Sequence, residues 1–108
     1  MHLVNAIDER TRMVTLSSVP FTPGRVTDLA PIGAACRERG VFLLVDAVQS
    51  VGILETDVEA LGIDAFAVST QKGLLGLYGM GFLLSARVGG AAESGLCGAL
   101  QRGSWRCR

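Results

Sequence analysis

An excess of charge of either sign, a long hydrophobic run and a rich supply of cysteine are all missing from this 108-residue chain. Ten Lys and Arg balance ten Asp and Glu, so the formal net charge is zero. That argues against an electrostatic grip on nucleic acid or on an acidic membrane. The longest uncharged stretch, Gly73 to Ala86, has 14 residues with four glycines among them. It is too short and too broken to span a bilayer. Asp8, Glu9, Arg10 and Arg12 lie where the apolar core of a secretory signal would fall, so no signal peptide is expected. Cys36, Cys97 and Cys107 are odd in number and lack metal-ligand spacing. The expectation is a reduced, cytoplasmic protein with no metal site. What the chain does have is apolar bulk: 49% hydrophobic residues against 19% charged mark a globular chain and exclude a disordered or collagen-like one.

Strand and helix patterns alternate along it. Met13-Val14-Thr15-Leu16 is β-prone and leads into a turn-rich segment, Ser17 to Gly24, with two prolines. The pattern predicts a helix from Asp28 to about Arg39, capped by Thr27, with Leu29, Ile32 and Cys36 on one stripe and Gly40 as its stop. Pro31 is tolerable in the first turn. Val41 to Val45 is apolar on both faces, as befits a central parallel strand. Thr56-Asp57-Val58-Glu59 reads as the capping box of one short helix ending at Gly62. Asp64 to Val68 reads as a third strand and Gly81 to Ser85 as a fourth. The connection from Thr70 to Gly79 is short and glycine-rich, and parallel strands need a dozen or more connecting residues. The predicted fold is therefore α/β: three parallel strands with crossover helices, then one antiparallel strand.

In an open sheet of this kind, ligands bind beyond the carboxyl ends of the parallel strands. Ser17 or Ser18, Asp46 and Ser69 occupy those ends, and Lys72 follows three residues after Ser69. Asp46 closes an apolar run, so its charge is expected at the edge of a desolvated core, where it either starts a turn or serves as a fixed anion for a buried cation. A protonated pyridine nitrogen, as in pyridoxal phosphate, is one such cation. Lys72 is the only lysine in the chain; the other nine cations are arginines. Leu74, Leu75 and Val68 suggest apolar surroundings for it, which would favour the free amine that Schiff-base chemistry needs. Gln49 can point at the same ligand, or be an exposed turn residue. Ser69 and Gln71 can hydrogen-bond a phosphate. His2 has no evident partner.

The segments Val45-Asp46-Ala47-Val48-Gln49-Ser50-Val51-Gly52 and Ser69-Thr70-Gln71-Lys72-Gly73 through Phe82 resemble the class V aminotransferase family of fold-type I pyridoxal-phosphate enzymes. The family includes cysteine desulfurases, selenocysteine lyases, isopenicillin N epimerase-like proteins and glyoxylate aminotransferases. Thr11 to Gly24 and the helix ending Cys36-Arg37-Glu38-Arg39-Gly40 follow the same pattern. The resemblance implies that Lys72 forms the internal aldimine with pyridoxal 5'-phosphate and shuttles the substrate Cα proton. It further implies that Asp46 pairs with the pyridine nitrogen, that Gln49 hydrogen-bonds the ring hydroxyl oxygen and that Ser69 and Gln71 hold the phosphate. Many relatives have His where Gln71 stands, and Ser18 stands where desulfurases carry an Asn near the ring.

By the same resemblance, residues 1–87 correspond to the central part of the cofactor-binding large domain. Residues 88–108 read as a glycine- and arginine-rich tail outside it. Relatives are several times longer and homodimeric, with a further phosphate-binding helix upstream and a carboxylate-binding arginine downstream. The chain is thus expected to be a partial enzyme for a small amino-acid substrate, inactive alone and inclined to self-associate. A different class remains open on the residues: a receiver-like module with Asp46 as phosphoacceptor and Ser69 and Lys72 as switch groups. It lacks an acidic pair after the first strand to hold Mg²⁺.

Overall fold

The protein is described by a computed structural model covering residues 3–85. After a single 3-10 turn (Leu3–Ala6) come strand β1 (Met13–Ser17), helix α1 (Leu29–Arg39) and strands β2 (Phe42–Asp46), β3 (Ala65–Ser69) and β4 (Gly81–Ser85). The strands form one sheet in the order β1-β2-β3-β4. The first three run parallel and β4 returns antiparallel, with Ser69 opposite Gly81 and Ala65 opposite Ser85. The glycine-rich connection is too short for a crossover and reverses the chain as expected. No helix among the described residues is long and apolar enough to cross a membrane.

Helix α1 starts one residue later than the sequence suggests, and Thr27 does not cap it. Asp28 occupies the N-cap without a side-chain bond, while the Thr27 hydroxyl donates to the Ser17 carbonyl at 2.9 Å. Thr27 is spent on anchoring the entry of the helix to the end of β1. The helix ends at Gly40, whose φ of 67° is a left-handed conformation that costs a residue without a Cβ nothing. Leu29, Ile32, Ala35 and Cys36 are buried against Leu43, Val45 and Val68. Burial, and secondarily the nearby Asp64 charge, push the Cys36 thiol up against a smaller pull from Arg39, so it packs as a neutral filler. At Gly33 the helix meets the 61–62 backbone: a Cβ there would stand 1.8 Å from the Leu61 carbonyl oxygen.

The second crossover differs from expectation. Between β2 and β3 there is no helix, only isolated turns closed by Val51→Ala47, Leu54→Ser50 and Leu61→Asp57 backbone bonds of 2.8–3.0 Å. Asp57, not Thr56, does the capping: its Oδ1 accepts from the N–H groups of Glu59 and Ala60. Gly62, in the left-handed region at φ 68°, then stops the segment after one turn, too few residues to repay helix nucleation. Asp64 also falls outside the strand predicted to begin with it. It is buried, its N–H donates to the Leu43 carbonyl, and its carboxylate accepts from the Leu43 N–H at 2.8 Å.

Alternation along the strands gives the sheet two unlike faces. Val14, Leu16, Leu43, Val45, Phe66 and Val68 turn towards α1 and the core. Met13, Thr15, Phe42, Leu44, Ala67 and Leu83 turn the other way. So β2 is apolar on both faces, as read, but Phe42 and Leu44 are only half-buried while Leu43 and Val45 are almost fully enclosed.

Candidate active site

Parallel pairing decides where the polar groups meet. Ser17 stands opposite Asp46, and Asp46 opposite Ala67, so the carboxyl ends of β1, β2 and β3 form one rim. Directly opposed residues share a face, and Ser69 lies two beyond Ala67. Ser17, Asp46, Ala67 and Ser69 therefore line the face away from α1. Gly81, opposite Ser69, completes the row, and a Cβ there would fall 2.6 Å from the Val68 carbonyl oxygen. The strand neighbours of Asp46 on this face, Ser17 and Ala67, carry small side chains, with Leu44 and Leu83 further along the same face.

Asp46 is exposed rather than set in a desolvated edge, because the strand presents it on the uncovered face. Its Oδ2 accepts from the Ser17 hydroxyl at 3.1 Å and its Oδ1 from the Val48 N–H at 3.0 Å. The second bond is an Asx-type turn, so Asp46 both begins a turn and presents a fixed anion. Ser18 is buried, with its hydroxyl against the Asp46 carbonyl at 3.1 Å and Ser50 Oγ at 2.7 Å. It ties the ends of β1 and β2 together from inside. The Gln49 amide donates to the Val19 carbonyl at 2.7 Å and so holds the loop after β1. The Ser69 hydroxyl donates to Gln71 Oε1.

Lys72 is exposed. Val68, four residues before it, points into the core, so the apolar surroundings expected for the amine do not come from there. The Leu75 N–H donates to the Lys72 carbonyl at 2.9 Å, closing a turn in which Leu75 itself has a φ of 52°. Two glycines fix this turn against the loop after Asp46. A Cβ on Gly73 would lie 2.3 Å from the Val51 carbonyl oxygen, and one on Gly52 would lie 2.6 Å from the Gly73 carbonyl oxygen. Such backbone-on-backbone contact leaves no room for any other residue. Lys72 thus belongs to the same rim as Asp46.

The sequence left Ser17 and Ser18 as alternatives and gave no role to Ser50 or to the Gly52–Gly73 contact. Strand alternation read together with the register separates the two serines: one residue's slip sends Ser17 to the open face and Ser18 inward.

This arrangement of three parallel strands and a reversed fourth matches a slice of the large domain of fold-type I pyridoxal-phosphate transferases. Bacillus subtilis ureidoglycine-glyoxylate aminotransferase superposes with a TM-score of 0.66 at 34% identity, covering 68% of this chain and 19% of that one. A probable cysteine desulfurase of Methanothermobacter thermautotrophicus is 44% identical over 79 residues, 73% of this chain and 20% of its own. A 2-aminoethylphosphonate--pyruvate transaminase of Burkholderia thailandensis is 39% identical over 82 residues, 76% of this chain and 22% of its own. Residues 1–99 match Aminotransferase class-V, and the chain belongs to that family. It spans about a fifth of the length of the curated relatives it matches. Class V aminotransferases and cysteine desulfurases are pyridoxal-phosphate enzymes. With the family shown, the phosphoacceptor alternative falls away. The expected boundary near residue 87 and the tail beyond it lie outside the described residues.

The residues present fit that cofactor. An anchored carboxylate suits a protonated ring nitrogen, its paired neighbours Ser17 and Ala67 are small, and Lys72 is exposed.

Proposed function

We propose that this chain supplies the cofactor-holding rim of an enzyme that acts on a small amino acid, by transamination or by lyase chemistry at a Cβ–S or Cβ–Se bond. One observation carries the reading: parallel β2 and β3 bring Asp46 and the loop bearing Lys72 to the same rim of the sheet. When bound, pyridoxal phosphate supplies an electron sink for the charge released at the substrate Cα.

The chain's own residues do the rest. Asp46 would hold the proton on the ring nitrogen, and its two hydrogen bonds to Ser17 and Val48 keep the carboxylate oriented for that task. Gln49 gives one amide hydrogen to Val19 and keeps a second for the ring oxygen. Ser69 and Gln71, now bonded to each other, would hold the phosphate through the hydroxyl and the side-chain amide N–H. Ser18 supports the ring side of the site by locking the ends of β1 and β2. Lys72 would hold the cofactor through Nζ and, once the substrate amine has displaced it there, its free amine would take and return the proton at the substrate Cα. No arginine could do this, since a guanidinium stays protonated. The 108 residues alone are expected to show no turnover, as they span only a fifth of their relatives.

Incubation with pyridoxal phosphate, reduction with borohydride and peptide mapping test the reading. The tag is expected on Lys72 and is expected to vanish in Lys72→Ala. A chain tagged only at its terminal amine, or not at all, refutes it.

A further inference from the structure

Asp46 carries the reading above, yet it sits exposed at a strand end, where a carboxylate ordinarily samples several rotamers. Two donors oppose that freedom. The Val48 N–H is local and belongs to the turn that Asp46 itself begins. The Ser17 hydroxyl comes from the neighbouring strand, 29 residues away in sequence, and reaches the other carboxylate oxygen. The register that puts Ser17 opposite Asp46 makes this bond a property of the sheet rather than of a loop. One bond to each oxygen restrains the carboxylate from both sides and leaves each oxygen with capacity to accept a further bond.

From this we infer that Ser17 is a positioning residue for the cofactor: its hydroxyl sets the orientation of the Asp46 carboxylate, and through it the hold on the ring nitrogen. The inference rests on the proposed function. Ser17 needs no contact with the cofactor, and its part is confined to one O–H donated to Oδ2. The hydroxyls of Ser18 and Ser50 cannot replace it, because both are buried and bonded to each other and to the Asp46 and Ala47 carbonyls.

Ser17→Thr and Ser17→Val test it in the full 108-residue chain, since the two variants have the same shape and differ in the hydroxyl alone. In the cofactor-free chain, NMR side-chain couplings should report one Asp46 rotamer in the parent and in Ser17→Thr, and rotamer averaging in Ser17→Val. With pyridoxal phosphate labelled at the ring nitrogen with ¹⁵N, the nitrogen shift should be that of the protonated form in the parent and in Ser17→Thr. In Ser17→Val it should move towards the unprotonated form, with the cofactor dissociation constant raised about tenfold, as for losing a hydrogen bond to a charged group. Equal behaviour of Thr and Val variants, whether both intact or both impaired, overturns the inference, because the hydroxyl is then not what matters. An averaged Asp46 in the parent overturns it too. Failure of the parent to take up pyridoxal phosphate, with Asp46 still fixed by the hydroxyl, sinks the proposed function and the cofactor role of Ser17 while leaving the hold on Asp46 standing.

Discussion

The two faces of the sheet are built from the same strands but obey different rules. On the side of α1, Leu43, Val45 and Val68 are 0%, 1% and 4% exposed and the helix lies against them. On the other side Met13 is 54% exposed, Phe42 and Leu44 are half-buried, and the polar rim of Ser17, Asp46 and Ser69 opens outward. The buried core lies on the first face and the candidate site on the second. A single strand such as β2 serves both, alternating a core residue with a face or site residue down to Asp46 at its end.

Substitutions on either side sharpen or break that division. The largest effect is expected from Leu43→Ala, which empties a fully enclosed position and should destabilise by about 3 kcal/mol in urea unfolding. Gly33→Ala comes next and runs against propensity, since alanine in a helix is worth about 1 kcal/mol over glycine. Here the new methyl would strike the Leu61 carbonyl, so a net loss of about 2 kcal/mol is expected from the same measurement. A stabilised Gly33→Ala would mean that α1 does not press on the 61–62 backbone. The smallest effect belongs to Met13→Thr on the open face, within about 0.5 kcal/mol of the parent. A loss comparable with that of Leu43→Ala would show that this face is covered after all, and the contrast would fail.

Much of this was legible beforehand where the signal was periodic or chemical. The stripe Leu29, Ile32, Cys36 located α1, the short glycine-rich connection foretold the reversal before β4, and alternating elements put Asp46 and Ser69 at strand ends with Lys72 three residues beyond. Capping was legible only as residue type. Thr27 and Thr56 both had suitable side chains, but Thr27 found a carbonyl on β1 and Asp57 outcompeted its neighbour for the free N–H groups. Burial of the site residues was misjudged for a related reason. An apolar run before Asp46 says that its strand is buried, not which face its last residue takes, and that depends on register with β1 and β3. The same ambiguity hid the separate tasks of Ser17 and Ser18. Close backbone approach at Gly52 and Gly73 has no sequence signature beyond the glycines themselves.

That last contact ties the lysine-bearing turn to the turn that follows the carboxylate at ångström tolerance, with carbonyl oxygen where a methyl would otherwise be. The two turns consequently form one mechanical part. A designer moving this rim to another scaffold would have to transplant both turns as a unit. Directed evolution that diversifies positions 52 or 73 should return glycine almost exclusively, whatever reaction is being selected.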